Sequence, residues 1–159
     1  GDPVMGVVEL PPLDIAYFAL RGRGAFRQVG ERGVRPVRPR RESDALIAVA
    51  SRSHLDERTQ KVLDLLGVGE VVRRGSSAKM CAVAEGSADL YPRLGPTHLW
   101  DTAAGTAVAR EAGCKVLAPD GEELHYDPAR GMKHDGFLIY PAQREDLGEK
   151  ILEAVRSVG

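Results

Sequence analysis

The sequence predicts a mixed α/β protein built in layers, on three observations. From Ala45 onward, short apolar runs of strand length alternate with stretches of helical periodicity. Ahead of them lie two apolar, β-branched runs separated by turn residues, the pattern of antiparallel strands. The chain of 159 residues is 43% apolar and 28% charged, a globular balance with length enough for one core but not two full domains.

Val4–Leu10 reads as the first strand, stopped by Pro11-Pro12, and Ile15–Leu20 as the second. Gly22 and Gly24 mark a turn into Ala25-Phe26-Arg27. The basic, proline-interrupted stretch Arg32–Arg41 reads as a solvated connector between two sheets, with a polyanion-binding arm as the less favoured reading. Leu46–Ala50 is a short buried strand. Ser53 with Asp56 three residues on has the spacing of a capping box for a helix that buries Leu55, Val62, Leu63 and Leu66 and ends at Gly67. A strand over Glu70–Arg73 follows. A helix then opens at Gly75-Ser76-Ser77 and runs through Ala78–Glu85 to Gly86. Asp89–Tyr91 resembles a strand end before the loop Pro92–Leu99. Trp100–Ala112 is a helix of small residues that neighbours can approach closely, closed by Gly113. Strands over Lys115–Ala118 and Gly136–Tyr140, and an amphipathic helix from Arg144 to Val158, complete the chain.

The 22 Lys and Arg against 23 Asp and Glu leave a net charge of −1, which argues against a nucleic-acid polymer or a bilayer as partner. No apolar run reaches the ~20 residues of a membrane span, and no signal segment opens the chain. Cys81 and Cys114 lack a Cys-x-x-Cys pattern, and the four histidines lack zinc-ligand spacing. A reducing cytoplasm is therefore expected, with peripheral membrane association left open. The chain starts at Gly1 within a strand-like run, which reads as the later part of something longer.

Three places could carry chemistry. Gly75-Ser76-Ser77-Ala78-Lys79 feeds free N–H groups and hydroxyls into a helix start, where a cation is misplaced unless an anion docks. The plainer reading is a serine cap with a surface lysine. Tyr91-Pro92-Arg93 offers a planar guanidinium just after a strand end, although most such arginines are merely solvated. His54 could touch a base or phosphate, or be an exposed helix-start residue. Trp100-Asp101-Thr102-Ala103-Ala104-Gly105 suits a carboxylate held rigidly at a helix start for a metal ion, or an ordinary cap. Met80, Cys81 and Trp100 read as core, and His98, His125 and His134 as loop residues.

In order, Ser51-Arg52-Ser53-His54, Gly75-Ser76-Ser77-x-Lys79, Ala84-Glu85-Gly86-x-Ala88-Asp89-x-Tyr91-Pro92-Arg93 and Trp100-Asp101-Thr102-Ala103-Ala104-Gly105 resemble one family. It is the CysQ-type 3′(2′),5′-bisphosphate nucleotidase family of the inositol monophosphatase superfamily. The resemblance implies the later part of a layered sugar-phosphatase fold. Residues 1–41 would be strands and connector of an incomplete first domain, and residues 42–159 the C-terminal substrate-binding domain. It also implies Mg²⁺-dependent removal of a phosphate from adenosine 3′,5′-bisphosphate to give AMP, with lithium inhibition and a role in sulfate assimilation. Asp101 would be a metal ligand beside the substrate. Ser76, Lys79 and Arg93 would hold phosphate or ribose, and His54 would lie near the nucleotide.

The family's other metal ligands, a Glu-Glu pair and an Asp-Pro-(Ile or Leu)-Asp-Gly-Thr motif, do not occur here; Gly1-Asp2-Pro3 and Asp127-Pro128-Ala129 continue differently. The 159 residues alone are therefore expected to be catalytically inactive, and poorly stable because the first two strands lose sheet partners. An inositol monophosphatase, or a non-catalytic nucleotide-binding module, is the alternative. Lys79 and Arg93 favour the nucleotide, because a second phosphate needs further cations.

Overall fold

The computed structural model describes residues 1–51, 55–75 and 77–159. Among the described residues, eleven strands and four helices follow one another in layers. β1 (Met5–Leu10), β2 (Ile15–Leu20), β3 (Gly24–Val29) and the two-residue β4 (Arg35–Pro36) form an antiparallel meander in that order. Register is set by alternation: Val8 pairs with Tyr17, and both point to the core, whereas Val7 pairs with Phe18 on the opposite face. The first two strands thus pair with each other and with β3, so the expected loss of partners is confined to the free edge of β1.

The second sheet is mixed. β5 (Ile47–Ser51) runs parallel to β6 (Glu70–Arg74). A parallel bridge from Ala48 to Leu90 connects β5 to the start of β7 (Tyr91–Arg93). β7 pairs antiparallel with β11 (Phe137–Pro141), which pairs in turn with β9 (Cys114–Leu117). A small ladder of β8 (Thr97–His98) and β10 (Lys133–His134) lies apart from it.

Helices α1 (Glu57–Leu65) and α4 (Glu145–Ser157) cover one face of the mixed sheet, burying Val62, Leu63, Leu147, Ile151 and Val155 against Leu90 and Leu138. Helices α2 (Ala78–Ala84) and α3 (Leu99–Ala112) fill the space between the two sheets. Met80, Ala82, Val83 and Ala109 meet the mixed sheet, and Cys81, Ala84, Val108 and Ala112 meet the meander. The small residues of α3 permit this double contact. A side chain on Gly6 would run into the backbone of Ala104, and one on Gly105 into Met80.

Local differences from expectation have local causes. α1 is capped by Asp56, whose carboxylate accepts from the Thr59 N–H at 2.8 Å, so the helix starts at Glu57; Ser53 lies outside the described residues. Part of the basic connector is built in, with Val37 buried under the meander. Trp100 is not core: it is 62% exposed, and its ring stacks on the His98 imidazole at 4.4 Å. Leu99 and Thr102 take the inward positions of that first helical turn instead. His98 and His134 belong to the β8–β10 ladder rather than to loops, and His134 is buried.

Candidate functional site

The open end between the mixed sheet and the starts of α2 and α3 holds a cavity of about 220 Å³. Lys79, Arg93 and Asp101, singled out separately along the sequence, all line it. The candidates Ser76 and His54 lie outside the described residues, although Ser51 and Ser77 beside them line the same cavity.

Lys79 is no surface lysine. It is only 4% exposed, donates from Nζ to the Arg74 carbonyl at 3.2 Å, and sits over the Tyr91 ring at 5.4 Å from its centroid. A buried ammonium needs such partners to offset lost hydration. α2 places it there because its other side chains are committed to the two cores on either side.

Arg93 ends β7, two residues beyond Tyr91, so both side chains project from one face of the strand. One guanidinium nitrogen donates to the Pro96 carbonyl at 3.1 Å. Its Nε is buried and has no hydrogen-bond partner among the described residues. An unmet donor of this kind is costly unless a ligand atom completes it. Burial raises the Tyr91 hydroxyl pKa to about 12, against the opposing pull of the Arg93 charge, so it remains a protonated donor at neutral pH.

Asp101 lies in the first turn of α3, where the helix dipole favours a carboxylate. Its side chain is 55% exposed and approaches the His98 imidazole at 3.6 Å. The Ser77 hydroxyl reaches its backbone carbonyl at 3.4 Å, which ties the start of α2 to the start of α3. Thr102 on the next position of α3 bonds the Tyr126 hydroxyl at 2.8 Å, which fixes the cavity wall from behind. The lining thus carries two cations and one carboxylate, the charge pattern of a site for an anion.

The family model described as the inositol monophosphatase family matches residues 1–159. The chain belongs to the inositol monophosphatase family. Within it, the chain is 42% identical over 139 residues to the 3′(2′),5′-bisphosphate nucleotidase CysQ of Escherichia coli K12, covering 87% of this chain and 55% of the relative. The CysQ of Salmonella typhimurium is 43% identical over the same shares. Among solved structures, CysQ from Bacteroides thetaiotaomicron superimposes with a TM-score of 0.79 at 37% identity, over 89% of this chain and 59% of that one. Inositol monophosphatase from Anabaena gives 0.76 at 27% identity, over 100% and 62%. The chain spans little more than half the length of the curated relatives it matches.

Phosphatases of the inositol monophosphatase family are generally metal-dependent. The described residues of this member do not form a metal centre of their own. Asp101 is the one carboxylate on the cavity wall, and no group of three or more His, Cys, Asp or Glu is arranged to hold an ion among the described residues. Mg²⁺ takes about six oxygen ligands in octahedral geometry, with several from carboxylates, phosphate and water, which Asp101 alone does not provide.

Tyr91, Ser77, Thr97 and Thr102 are cavity residues that sequence reasoning did not single out as site residues. Tyr91 was accessible to it, since the two-residue strand period places it on the face of Arg93. Thr97 was not, because its position depends on the non-local pairing of β8 with β10.

Proposed function

We propose that this chain is the nucleotide-holding part of a Mg²⁺-dependent 3′(2′),5′-bisphosphate nucleotidase, which releases phosphate from adenosine 3′,5′-bisphosphate and leaves AMP. The observation that carries this reading is the cavity itself. Lys79 and the unmet Nε of Arg93 converge on one space with Asp101 at its mouth. The naming of the CysQ relatives supports it.

A bisphosphate nucleotide brings one phosphate to be hydrolysed and another that only anchors. In this reading Asp101 contributes one carboxylate towards Mg²⁺, and the remaining ligands come from sequence beyond these 159 residues. Lys79 and Arg93 hold the anchoring phosphate, with Ser76 and His54 as further nucleotide contacts. Residues 42–159 thereby supply the substrate-binding domain, and residues 1–41 part of the first. The setting is the cytoplasm, supported by Cys81 and Cys114 being buried free thiols; no helix among the described residues is long and apolar enough to cross a membrane. The partner is a small nucleotide, not a nucleic-acid polymer.

The test is substrate selectivity in a full-length protein carrying this chain, at saturating Mg²⁺. Losing a charge-assisted hydrogen bond costs about 1.5–3 kcal/mol, or roughly ten- to a hundredfold. Lys79→Ala or Arg93→Ala should lower kcat/KM for adenosine 3′,5′-bisphosphate by that factor and leave turnover of inositol monophosphate nearly unchanged. Asp101→Asn should suppress both substrates together. Equal losses on both substrates for the Lys79 and Arg93 variants would point instead to an inositol monophosphatase.

A further inference from the structure

A second, larger cavity of about 550 Å³ opens on the other side of α2, between the β3–β4 hairpin and the C-terminal end of that helix. It shares no lining residue with the candidate nucleotide site. Four arginines line it: Arg27, Arg32, Arg35 and Arg38. Glu85 is the one acidic residue on its wall.

Glu85 cannot balance them. Its carboxylate accepts from the Tyr17 hydroxyl at 2.7 Å and the Ser87 hydroxyl at 3.0 Å, and pairs with Arg27 at 3.6 Å and with Arg74 at 3.8 Å. Arg32, Arg35 and Arg38 have no carboxylate within ion-pair distance among the described residues; Arg38 merely donates to the neighbouring Val37 carbonyl at 2.9 Å. The buried Nε of Arg27 faces the Glu85 carboxylate at 3.6 Å, too long for a hydrogen bond, and the guanidinium lies over the Tyr17 ring at 5.9 Å.

A solvated basic loop would spread its charges into water. Here Arg32, Arg35 and Arg38, all exposed, are gathered with Arg27 around one concave space, and Glu85 pairs with only one of the four. Guanidinium forks match the tetrahedral oxyanions of phosphate in a paired geometry, and several of them on one cavity wall suit more than one such group. We propose that this cavity binds a small polyanion carrying two or more phosphate groups, at a site separate from the candidate nucleotide pocket and independent of that assignment. The chain's net charge of −1 and the concave shape of the site favour a small ligand over a nucleic acid.

Inorganic tripolyphosphate is the probe, titrated into the 159-residue chain and followed by calorimetry and by backbone amide shifts. Binding should shift the amides of residues 32–38 and weaken steeply with added salt, as screening shortens the reach of the charges. Arg32→Ala/Arg35→Ala should weaken it at least tenfold with an unchanged circular dichroism spectrum, and Arg32→Lys/Arg35→Lys should restore part of the loss. Lys79→Ala should leave the residue 32–38 shifts and their titration midpoint unchanged. Undiminished affinity in the double alanine variant would overturn the proposal. So would shifts confined to the surroundings of Ser77, Lys79 and Arg93, or tighter binding of single-stranded DNA than of tripolyphosphate to the same hairpin.

Discussion

Asp89 is fully buried, and its carboxylate fastens three parts of the chain to one another. It accepts from Arg144 at 2.7 Å and from the Ile47 amide at 2.8 Å, and pairs with Arg40 at 3.6 Å. These contacts tie the start of α4, the start of β5 and the end of the basic connector to a residue two positions before β7. A carboxylate so enclosed has given up its hydration and is held by the partners it satisfies. Removing it strands the guanidinium of Arg144, whose side chain is only 12% exposed. Asp89→Ala should therefore destabilise the chain by about 3–5 kcal/mol, read as a lower urea midpoint. A loss below about 1 kcal/mol would mean that water reaches Arg144 and that the cluster is not the fastening it looks like.

α3 shows how an element is chosen by what must lie against it. A helix between two sheets loses room on both sides, and its residues 103–105 (Ala-Ala-Gly) leave almost no side chain where β1 and α2 approach. The two glycines at these contacts are not equivalent. On β1, the Cβ of an alanine at position 6 would meet the Ala104 backbone, which cannot rotate away. At position 105 it would meet Met80, whose long thioether can shift, and alanine is also the better helix former by about 1 kcal/mol. Gly6→Ala should therefore lower Tm clearly, with an overpacking penalty of about 1–3 kcal/mol, and Gly105→Ala should cost less. Thermal unfolding of both variants tests the order, and the reverse order would show that β1 moves more freely than Met80.

At the scale of the whole molecule, the layers run helix, mixed sheet, helix, meander. The outer face of the meander carries Met5, Val7 and Leu20, exposed, beside the stacked pair Phe18 and Phe26. The candidate site cavity sits at the starts of α2 and α3 with a single carboxylate on its wall among the described residues. Two-metal phosphate chemistry needs ions about 3.5–4 Å apart, bridged and flanked by several carboxylates. The 159-residue chain should accordingly release no phosphate from adenosine 3′,5′-bisphosphate with Mg²⁺ above the rate of its Asp101→Ala variant. Release well above that control would require a metal site that the described residues do not form.

Much of this protein was legible in its residues taken in order. Ile15–Leu20 reads as a strand from its apolar run and folds as one over that span. The helix of small residues from Trp100 to Ala112 differs from α3 only at its start, by one position, and ends at the same residue because Gly113 closes it with the positive φ that glycine tolerates. Caps, periodicity and turn glycines act within a few residues, so the sequence alone determined most of the elements, though not the β8–β10 ladder, and the order of its motifs pointed to the family. Tertiary structure decided what those elements bring together. The parallel pairing of β5 with β6, and the passage of α2 between two sheets, carry Lys79 inward to meet Tyr91 and Arg93. The same packing turns Trp100 outward and gathers the arginines of a connector around one cavity. A local pattern states which face of an element is apolar. It does not state which distant charge that face will set beside which, because that follows from crossovers and pairings between residues far apart in the chain.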